Sequence, residues 1–319
     1  MPKTLDQKTT LAVLLLLTAM PAAADAPLGV YRGAGCDGLR KLADFTAWFG
    51  RPPDLALDAF STESWDALTS SADWAIGCWA QNGLPMVFSV PMLPRTTSDT
   101  LADGAAGKFD ATFQHIAQTL VAKGYGRAVL RIGWEFNGNW FPWAASRDPQ
   151  SWIAYWRRIV TVMRQVPGAA FQFDWCTAIG RNALAPDTVY PGDAYVDTIG
   201  ADVYNQAWGD PKPTPEQVWN WLLNQPYGLK WQRDFALAHG KSISFPEWGT
   251  GTRPDGHGGG DDPYFLSHMA DWIAANPVAY HIYWDYPAPD YNGRLSDGSQ
   301  PAAGAVFLQK FGASSGAAP

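Results

Sequence analysis

Eight short apolar runs, separated by segments with helical periodicity, constrain the fold of this 319-residue chain more than any other feature. The runs are rich in β-branched and aromatic residues, as buried parallel strands are. Strands that alternate with helices indicate parallel βαβ units, and eight such units predict an α/β fold, a single-domain (β/α)8 TIM barrel. The predicted strands cover residues 28–32, 55–60, 86–92, 128–134, 170–176, 196–204, 242–246 and 279–285.

Helix-start signals fall between these predicted strands. Ser, Thr or Asp before Pro or Glu accepts hydrogen bonds from the free N–H groups of a first helical turn. The sequence shows no linker, internal repeat or second domain, so we expect residues 25–312 to form the barrel and residues 313–319 a flexible tail. Helices are predicted to begin near Asp37, Ser61, Thr97, Asp148, Thr214 and Asp262.

The N-terminus has the order of a secretory signal peptide. Two lysines precede an apolar run at residues 11–20, and small residues follow at positions 21–26. The run is too short to be a good membrane span. We therefore expect residues 1–24 to be a signal peptide cleaved after Ala24 or Ala26. The mature protein is expected to be secreted or periplasmic, without membrane insertion.

Cysteine content and charge limit the possible partners. An oxidising compartment permits one disulfide among the three cysteines, and Cys36 with Cys78 is the favoured pair. Cys176 lies in the apolar fifth run and is interpreted as a buried, inert thiol. A formal net charge of −7 argues against a nucleic-acid-binding surface. The five histidines show no paired ligand spacing. We expect no metal, no cofactor and a monomer.

Glutamate is rare, occurring at only four positions among 30 acidic residues. Glu63 and Glu216 each fall in the first turn of a predicted helix, where the helix dipole stabilises a carboxylate. Glu135 and Glu247 directly follow the predicted fourth and seventh strands, at the carboxyl-terminal mouth where barrels of this class build active sites. A carboxylate among Trp, Phe and Pro is costly to bury without a role. This setting favours catalysis over a structural acid paired with an arginine.

Two carboxylates across a barrel mouth suit glycoside hydrolysis. One carboxyl group donates a proton to the leaving oxygen, and the other attacks the anomeric carbon when the two are about 5–5.5 Å apart. Flat C–H faces of sugars stack on indole rings, so the tryptophans near strand ends are expected to bind the sugar, whereas those in helical segments are expected in the core. The expected platforms are Trp140, Trp143, Trp248 and Trp284.

The segments around these glutamates form a specific pattern. It comprises Arg131-x-x-x-Glu135-x-Asn137-Gly138-x-Trp140-Phe141-x-Trp143, the segment 190–204, the strand that ends at Glu247, and Tyr283-Trp284 on the eighth strand. Over roughly residues 128–290 the chain resembles glycoside hydrolase family 26, a clan A family best known for β-mannanases. The family's members retain the anomeric configuration through a covalent glycosyl-enzyme intermediate.

The resemblance implies a role for each matching residue. Glu135 would be the general acid/base and Glu247 the nucleophile. Tyr204 would hydrogen-bond the nucleophile, Trp284 would lie under the sugar being cleaved, and Arg131 would lie beneath the carboxylates. We also expect Trp134 and Asn137 to be substrate-binding residues.

Two departures from the family pattern weaken the expectation of mannan as substrate. Trp134 stands where the family's mannanases usually have a histidine, and the third strand lacks their sugar-binding histidine. The expected substrate is a β-linked polysaccharide or oligosaccharide, of β-1,4-mannan type by resemblance and cut within the chain. A bacterial exopolysaccharide, a mixed-linkage glucan or a β-1,3-xylan is the alternative. A barrel that binds polysaccharide without cleaving it is the competing hypothesis.

Overall fold

Eight parallel strands close into a barrel in the computed structural model of the protein, which describes residues 26–312. Each strand pairs with the next, and β8 pairs with β1, so no sheet edge is left open. The predicted (β/α)8 barrel is confirmed, with every predicted strand present. The strands are β1 (Leu28–Tyr31), β2 (Leu55–Ala59), β3 (Met86–Val90), β4 (Val129–Ile132), β5 (Gln172–Ala178), β6 (Thr198–Asn205), β7 (Ser242–Thr250) and β8 (Val278–Trp284).

Two sequence predictions lie outside the described residues. The predicted signal peptide ends at residue 24, and the predicted flexible tail begins at residue 313. Both stay predictions.

Helices surround the barrel, but one of the eight expected positions has none. Between β5 and β6 the chain forms two 3-10 turns, at Pro186–Val189 and Asp193–Tyr195, instead of an α-helix. This connection contains two prolines and two glycines, which disfavour a continuous helix. The α-helices are α1 (Gly35–Phe49), α2 (Trp65–Trp79), α3 (Leu101–Ala105), α4 (Asp110–Ala122), α5 (Pro149–Arg164), α6 (Pro215–Asn224), α7 (Leu229–Ala238), α8 (Pro263–Ala275) and α9 (Pro301–Phe311).

The helix caps follow the sequence signals in most places. Asp148, Thr214 and Asp262 each accept a backbone hydrogen bond from the first turn of the helix that follows, as predicted. The start of α2 differs, because Ser64 rather than Ser61 is the capping residue. Glu63 therefore precedes the helix, which corrects the prediction that it lies in the first turn.

The remaining two starts also differ slightly from the signals. The helix α1 begins at Gly35, two residues before Asp37, which lies in its first turn. The helix α3 begins at Leu101 rather than near Thr97, because Thr100 and Asp103 form a capping box there. Glu216 lies in the first turn of α6, as predicted.

Polar side chains from several strands meet inside the barrel, whereas the apolar core lies between strands and helices. Asp174 on β5 accepts hydrogen bonds from Ser244 on β7 and from Tyr280 on β8, the latter at 2.6 Å. Each of these side chains is buried. Buried polar groups stabilise a fold only when they are paired, so these cross-barrel bonds fix the strands that carry the mouth of the barrel.

A disulfide joins two neighbouring helices on the outside of the barrel. Cys36 of α1 and Cys78 of α2 are bonded, across a sequence separation of 42 residues, and Cys176 is free and buried. The predicted pairing is confirmed. Closing a loop of this length restricts the unfolded chain and stabilises the folded protein by about 2–4 kcal/mol.

We expect the Cys36→Ser/Cys78→Ser variant to lose about 2–4 kcal/mol of unfolding free energy, because its unfolded chain regains the entropy of the open loop. Urea denaturation followed by tryptophan fluorescence measures the change. Wild-type protein treated with dithiothreitol is the control and should reach the midpoint of the variant. A midpoint unchanged in both samples would contradict the prediction.

Candidate active site

One cavity at the carboxyl-terminal mouth of the barrel contains both strand-end glutamates. Glu135 follows β4 by three residues, and Glu247 lies near the end of β7. The cavity has a volume of about 680 Å³, and Tyr204 and Trp284 also line it. We call it the central cleft. The parallel strands bring the two glutamates together although they lie 112 positions apart in the chain.

Glu135 has an unusual backbone conformation. Its φ is +53°, in the left-handed region that non-glycine residues rarely adopt. Its backbone N–H donates to the Cys176 carbonyl at 2.9 Å, so the turn is tied to the neighbouring strand β5. Strained backbone of this kind costs about 1–3 kcal/mol and persists only where the surroundings impose it. The surroundings of Glu135 therefore hold its backbone, and with it the carboxyl group, in a conformation that costs free energy.

Asn137 helps to impose this turn and does not face the cleft. Its amide nitrogen donates to the carbonyls of Ala178 and Gly180, both at 2.9 Å, and its oxygen accepts from the Ala178 N–H at 2.9 Å. The side chain is fully buried. The structure therefore corrects the prediction that Asn137 contacts substrate. The Asn137 side chain instead joins the turn after β4 to the end of β5.

Glu247 is held by two donors. The Tyr204 hydroxyl donates to Oε2 at 2.6 Å, and a guanidinium nitrogen of Arg131 donates to Oε1. An ionised carboxylate accepts hydrogen bonds through both oxygens, so this pair of donors suits the charged form. The structure places Tyr204 and Arg131 in the positions that the resemblance implies.

Arg131 is a buried cation below the cleft. Besides Glu247 it donates to Asp202 on β6 and to Ser89 on β3, the latter at 3.1 Å. The guanidinium is fully buried, and the ion pairs with two carboxylates keep its pKa above the ordinary value. The Trp134 ring lies 5.5 Å from the guanidinium carbon. One cation therefore connects four strands and fixes one oxygen of Glu247.

The environment of Glu135 disfavours the charged form of its carboxyl group. Burial raises its pKa most, and the negative charge of Glu247 raises it further, to about 7. The positive charge of Arg131 and the Trp140 indole, which donates to Oε2 at 2.7 Å, act in the other direction. Near neutral pH Glu135 can therefore carry a proton, and beside it lies Glu247, whose two carboxyl oxygens each accept a hydrogen bond.

Three of the predicted tryptophans line the central cleft: Trp134, Trp140 and Trp284. Trp140 is 44% exposed. Trp284 stacks on Tyr31 with ring centroids 4.2 Å apart and an angle of 14° between the planes. Since Tyr31 supports Trp284, the indole has a fixed orientation in the cleft.

Two other predicted platforms are buried outside the cleft. Trp143 is fully buried, stacks on Phe141 and donates to the Trp134 carbonyl at 2.9 Å. Trp248 is fully buried against Phe307 of α9. Successive side chains of a strand point to opposite faces, so Trp248 faces the helices because Glu247 faces the barrel interior. The structure corrects both predictions of sugar contact.

Sequence reasoning missed several residues of the cleft, among them Trp208 and Arg253. Trp208 is 56% exposed and follows β6, and Arg253 follows β7 with its guanidinium carbon 5.6 Å from the Trp208 ring. Both line the central cleft. The sequence signal that could have identified these two residues is their position just after a predicted strand, because the loops after barrel strands surround the mouth.

Residues 26–312 contain neither a metal-binding cluster nor a membrane-spanning helix. In this part of the chain no group of three or more His, Cys, Asp or Glu side chains is placed to hold a metal ion. Within the same residues, no helix has both the length and the apolar character needed to cross a membrane.

Comparison with known proteins confirms the resemblance noted in the sequence. The model of glycosyl hydrolase family 26 matches residues 106–220, a segment that contains Glu135 and Tyr204. Endoglucanase H of Acetivibrio thermocellus is 34% identical over 128 residues, which are 36% of this chain and 14% of that protein. A mannan endo-1,4-beta-mannosidase of Bifidobacterium adolescentis is 30% identical over 173 residues, which are 49% of this chain and 16% of that protein. The chain thus spans less than a fifth of either relative's length.

Solved structures extend the similarity over the whole barrel. The Bacillus subtilis mannanase man26 superposes with a TM-score of 0.62 and 16% identity, covering 90% of this chain and 85% of that one. A β-mannanase from Bacteroides ovatus gives a TM-score of 0.60 and 17% identity, covering 89% and 88%. At these identities the similarity establishes the fold.

Arg131→Met should lower the unfolding free energy by about 3–5 kcal/mol, because it leaves Asp202 and Glu247 without their cation in a buried site. Urea denaturation at pH 7 measures the loss. Adding Asp202→Asn removes one of the two uncompensated charges and should restore part of the stability. A loss below about 1 kcal/mol in the single variant would contradict a buried ion-pair role.

Proposed function

We propose that this protein is a retaining β-glycoside hydrolase that acts within a β-linked polysaccharide. The match of residues 106–220 to the model of glycosyl hydrolase family 26 supports the proposal. The observation that carries the proposal is the unequal environment of the two glutamates. Burial beside a second carboxylate raises the pKa of Glu135 to about 7, whereas Arg131 and Tyr204 donate to both oxygens of Glu247. Paired carboxyl groups with such different environments are typical of an acid and a nucleophile.

The reaction then proceeds in two displacements. Protonated Glu135 donates its proton to the glycosidic oxygen as a Glu247 oxygen attacks the anomeric carbon, and the bond to the leaving sugar breaks. Glu135, now ionised, accepts a proton from the incoming water, whose oxygen attacks the anomeric carbon and displaces Glu247. Two inversions retain the anomeric configuration.

Trp140 and Trp284 supply the aromatic contacts of this proposal. Trp284 offers a supported face to the sugar at the point of cleavage. Trp140 donates a hydrogen bond to Glu135 and is exposed in the same cleft. A single side chain thus connects sugar binding to the proton on Glu135.

The sugar and linkage are proposed more broadly. One relative is named as a mannan endo-1,4-beta-mannosidase and the other as an endoglucanase, and Trp134 replaces the histidine that mannanases of the family usually have. We propose a β-1,4-mannan-type chain, with bacterial exopolysaccharide, mixed-linkage glucan and β-1,3-xylan as alternatives. We also propose export to the periplasm or the medium, which the N-terminal sequence and the Cys36–Cys78 disulfide support.

Glu247→Ala should abolish hydrolysis of both a polysaccharide and a 2,4-dinitrophenyl β-glycoside, because it removes the nucleophile. Glu135→Gln should lower the rate on the polysaccharide by about 10²–10⁴-fold and spare the activated glycoside, whose leaving group needs no proton. Glu216→Gln, at an exposed glutamate in the first turn of α6 that does not line the central cleft, is the matched control and should keep full activity.

Product release is measured on β-mannan, mixed-linkage glucan, β-1,3-xylan and bacterial exopolysaccharides. Full activity of Glu247→Ala would refute the assigned nucleophile. Binding to one of these polymers with no sugar released by the wild type would instead identify a non-catalytic polysaccharide-binding barrel.

The activity should fall as the pH rises through about 7, because Glu135 then loses the proton that it must donate. Trp140→Phe should move this alkaline limb of kcat/KM to higher pH, since the indole N–H stabilises the ionised form of Glu135. Glu135→Gln, measured on the activated glycoside, should lack the limb. An alkaline limb that persists in Glu135→Gln would belong to another group.

A further inference from the structure

A second cavity continues the central cleft outward over the ends of β3 and β4. It has a volume of about 610 Å³ and is lined by residues between 93 and 102 and between 140 and 148. Arg95, Trp140 and Phe141 line both this cavity and the central cleft, so the two lie side by side at the mouth of the barrel. We call the second cavity the outer groove. A polysaccharide bound at the two glutamates has room to extend into it.

The acidic side chains of the outer groove already have partners. Asp99 forms an ion pair with Lys108 and accepts from the Trp65 indole at 2.8 Å, and these bonds lower its pKa to about 2. Asp148 accepts from the Ser151 N–H at the start of α5. Neither carboxylate needs a ligand, and neither pairs with an arginine of the groove among residues 26–312.

Two arginines of the outer groove lack such a partner. Arg95 donates from Nε to the Thr62 hydroxyl at 3.2 Å, and its guanidinium carbon lies 5.5 Å from the Phe141 ring. The two terminal nitrogens of Arg95 donate to no residue in the described part of the chain. The Arg147 side chain likewise makes no hydrogen bond or ion pair with residues 26–312. Both arginines are exposed.

Arg95 and Arg147 are positively charged, whereas the protein as a whole carries a negative net charge. The formal net charge is −7, so general attraction does not draw an anionic polymer to the surface. The arginines lie beside Trp140, which is an exposed stacking surface for a sugar. An aromatic platform with adjacent unpaired guanidinium groups matches a sugar that carries a carboxylate, because guanidinium and carboxylate are both planar and can form two parallel hydrogen bonds.

We propose that the outer groove binds an acidic sugar residue through Arg95 and Arg147, so that the natural substrate is an anionic, carboxylate-bearing polysaccharide. The inference rests on the proposed function for the position of the cleavage site and adds the substrate's charge. It favours an acidic exopolysaccharide over the neutral mannan and glucan alternatives.

Binding is tested by affinity electrophoresis of the Glu135→Gln variant, which leaves the contacts of Glu247 in place. The gels contain β-1,4-linked polymannuronate or xanthan, or the same polymers after chemical reduction of their carboxyl groups. We expect stronger retardation by at least one acidic polymer than by its reduced form. Adding Arg95→Gln and Arg147→Gln should weaken binding to the acidic polymer at least threefold and decrease its advantage over the reduced form.

The matched control is Lys123→Gln/Arg127→Gln in the same background. It removes two exposed positive charges that lie between α4 and β4, at the amino-terminal end of the barrel strand and away from the mouth. The control should bind like the parent. Absence of retardation in both acidic gels, equal retardation by the reduced polymers, or equal loss in the control would overturn the proposal.

Hydrolysis by the wild type separates this inference from the proposed function. Cleavage of neutral mannan without any preference for an acidic polymer would refute the inference and leave the hydrolase proposal intact. Binding to an acidic polymer that depends on Arg95 and Arg147, with no polymer hydrolysed, would refute the hydrolase proposal and leave only the binding of an acidic sugar by the outer groove.

Discussion

The ion pairs of Arg131 are the interaction on which the rest of the site depends. A buried guanidinium is costly unless carboxylates compensate it, and here Asp202 and Glu247 do so from two further strands. The same contact fixes one oxygen of Glu247 at the mouth. Loss of solvation raises the pKa of Glu135 most, and the charge of Glu247 raises it further, whereas the hydrogen bond from the Trp140 indole lowers it. The asymmetry of the two carboxyl groups therefore combines the loss of solvation at Glu135 with the cation that contacts Glu247.

The backbone contributes to this asymmetry as well. Glu135 adopts a left-handed conformation, and the buried amide of Asn137 holds the turn by three hydrogen bonds to β5 and the residues after it. Asn137, which the sequence predicts to contact sugar, thus fixes the geometry of the turn that carries Glu135. Because the turn is tied to β5 and Glu247 to Arg131, both carboxyl groups are held by rigid strands rather than by mobile loops.

Strand periodicity and strand-end position predicted most of the architecture. Eight apolar runs predict the barrel, and the two glutamates, one just after β4 and one near the carboxyl-terminal end of β7, lie in one cavity as expected. The errors have physical causes. The position of Trp248 after the predicted seventh strand suggests the cleft, but the alternation of side chains along β7 directs it to the helices. Trp143 turns inward because its ring stacks on Phe141, a contact that sequence spacing does not reveal.

The sequence by itself determined the fold class, the positions of the strands and the identity of the two glutamates, because hydrophobic periodicity and strand ends are local properties of the chain. Only the tertiary structure decided which residues surround those glutamates. The link from Arg131 to Asp202 joins residues 71 apart, and the link to Glu247 joins residues 116 apart. The outer groove combines loops after β3 and β4 in the same way. Electrostatic environment depends on distance in space, which closure of the barrel sets.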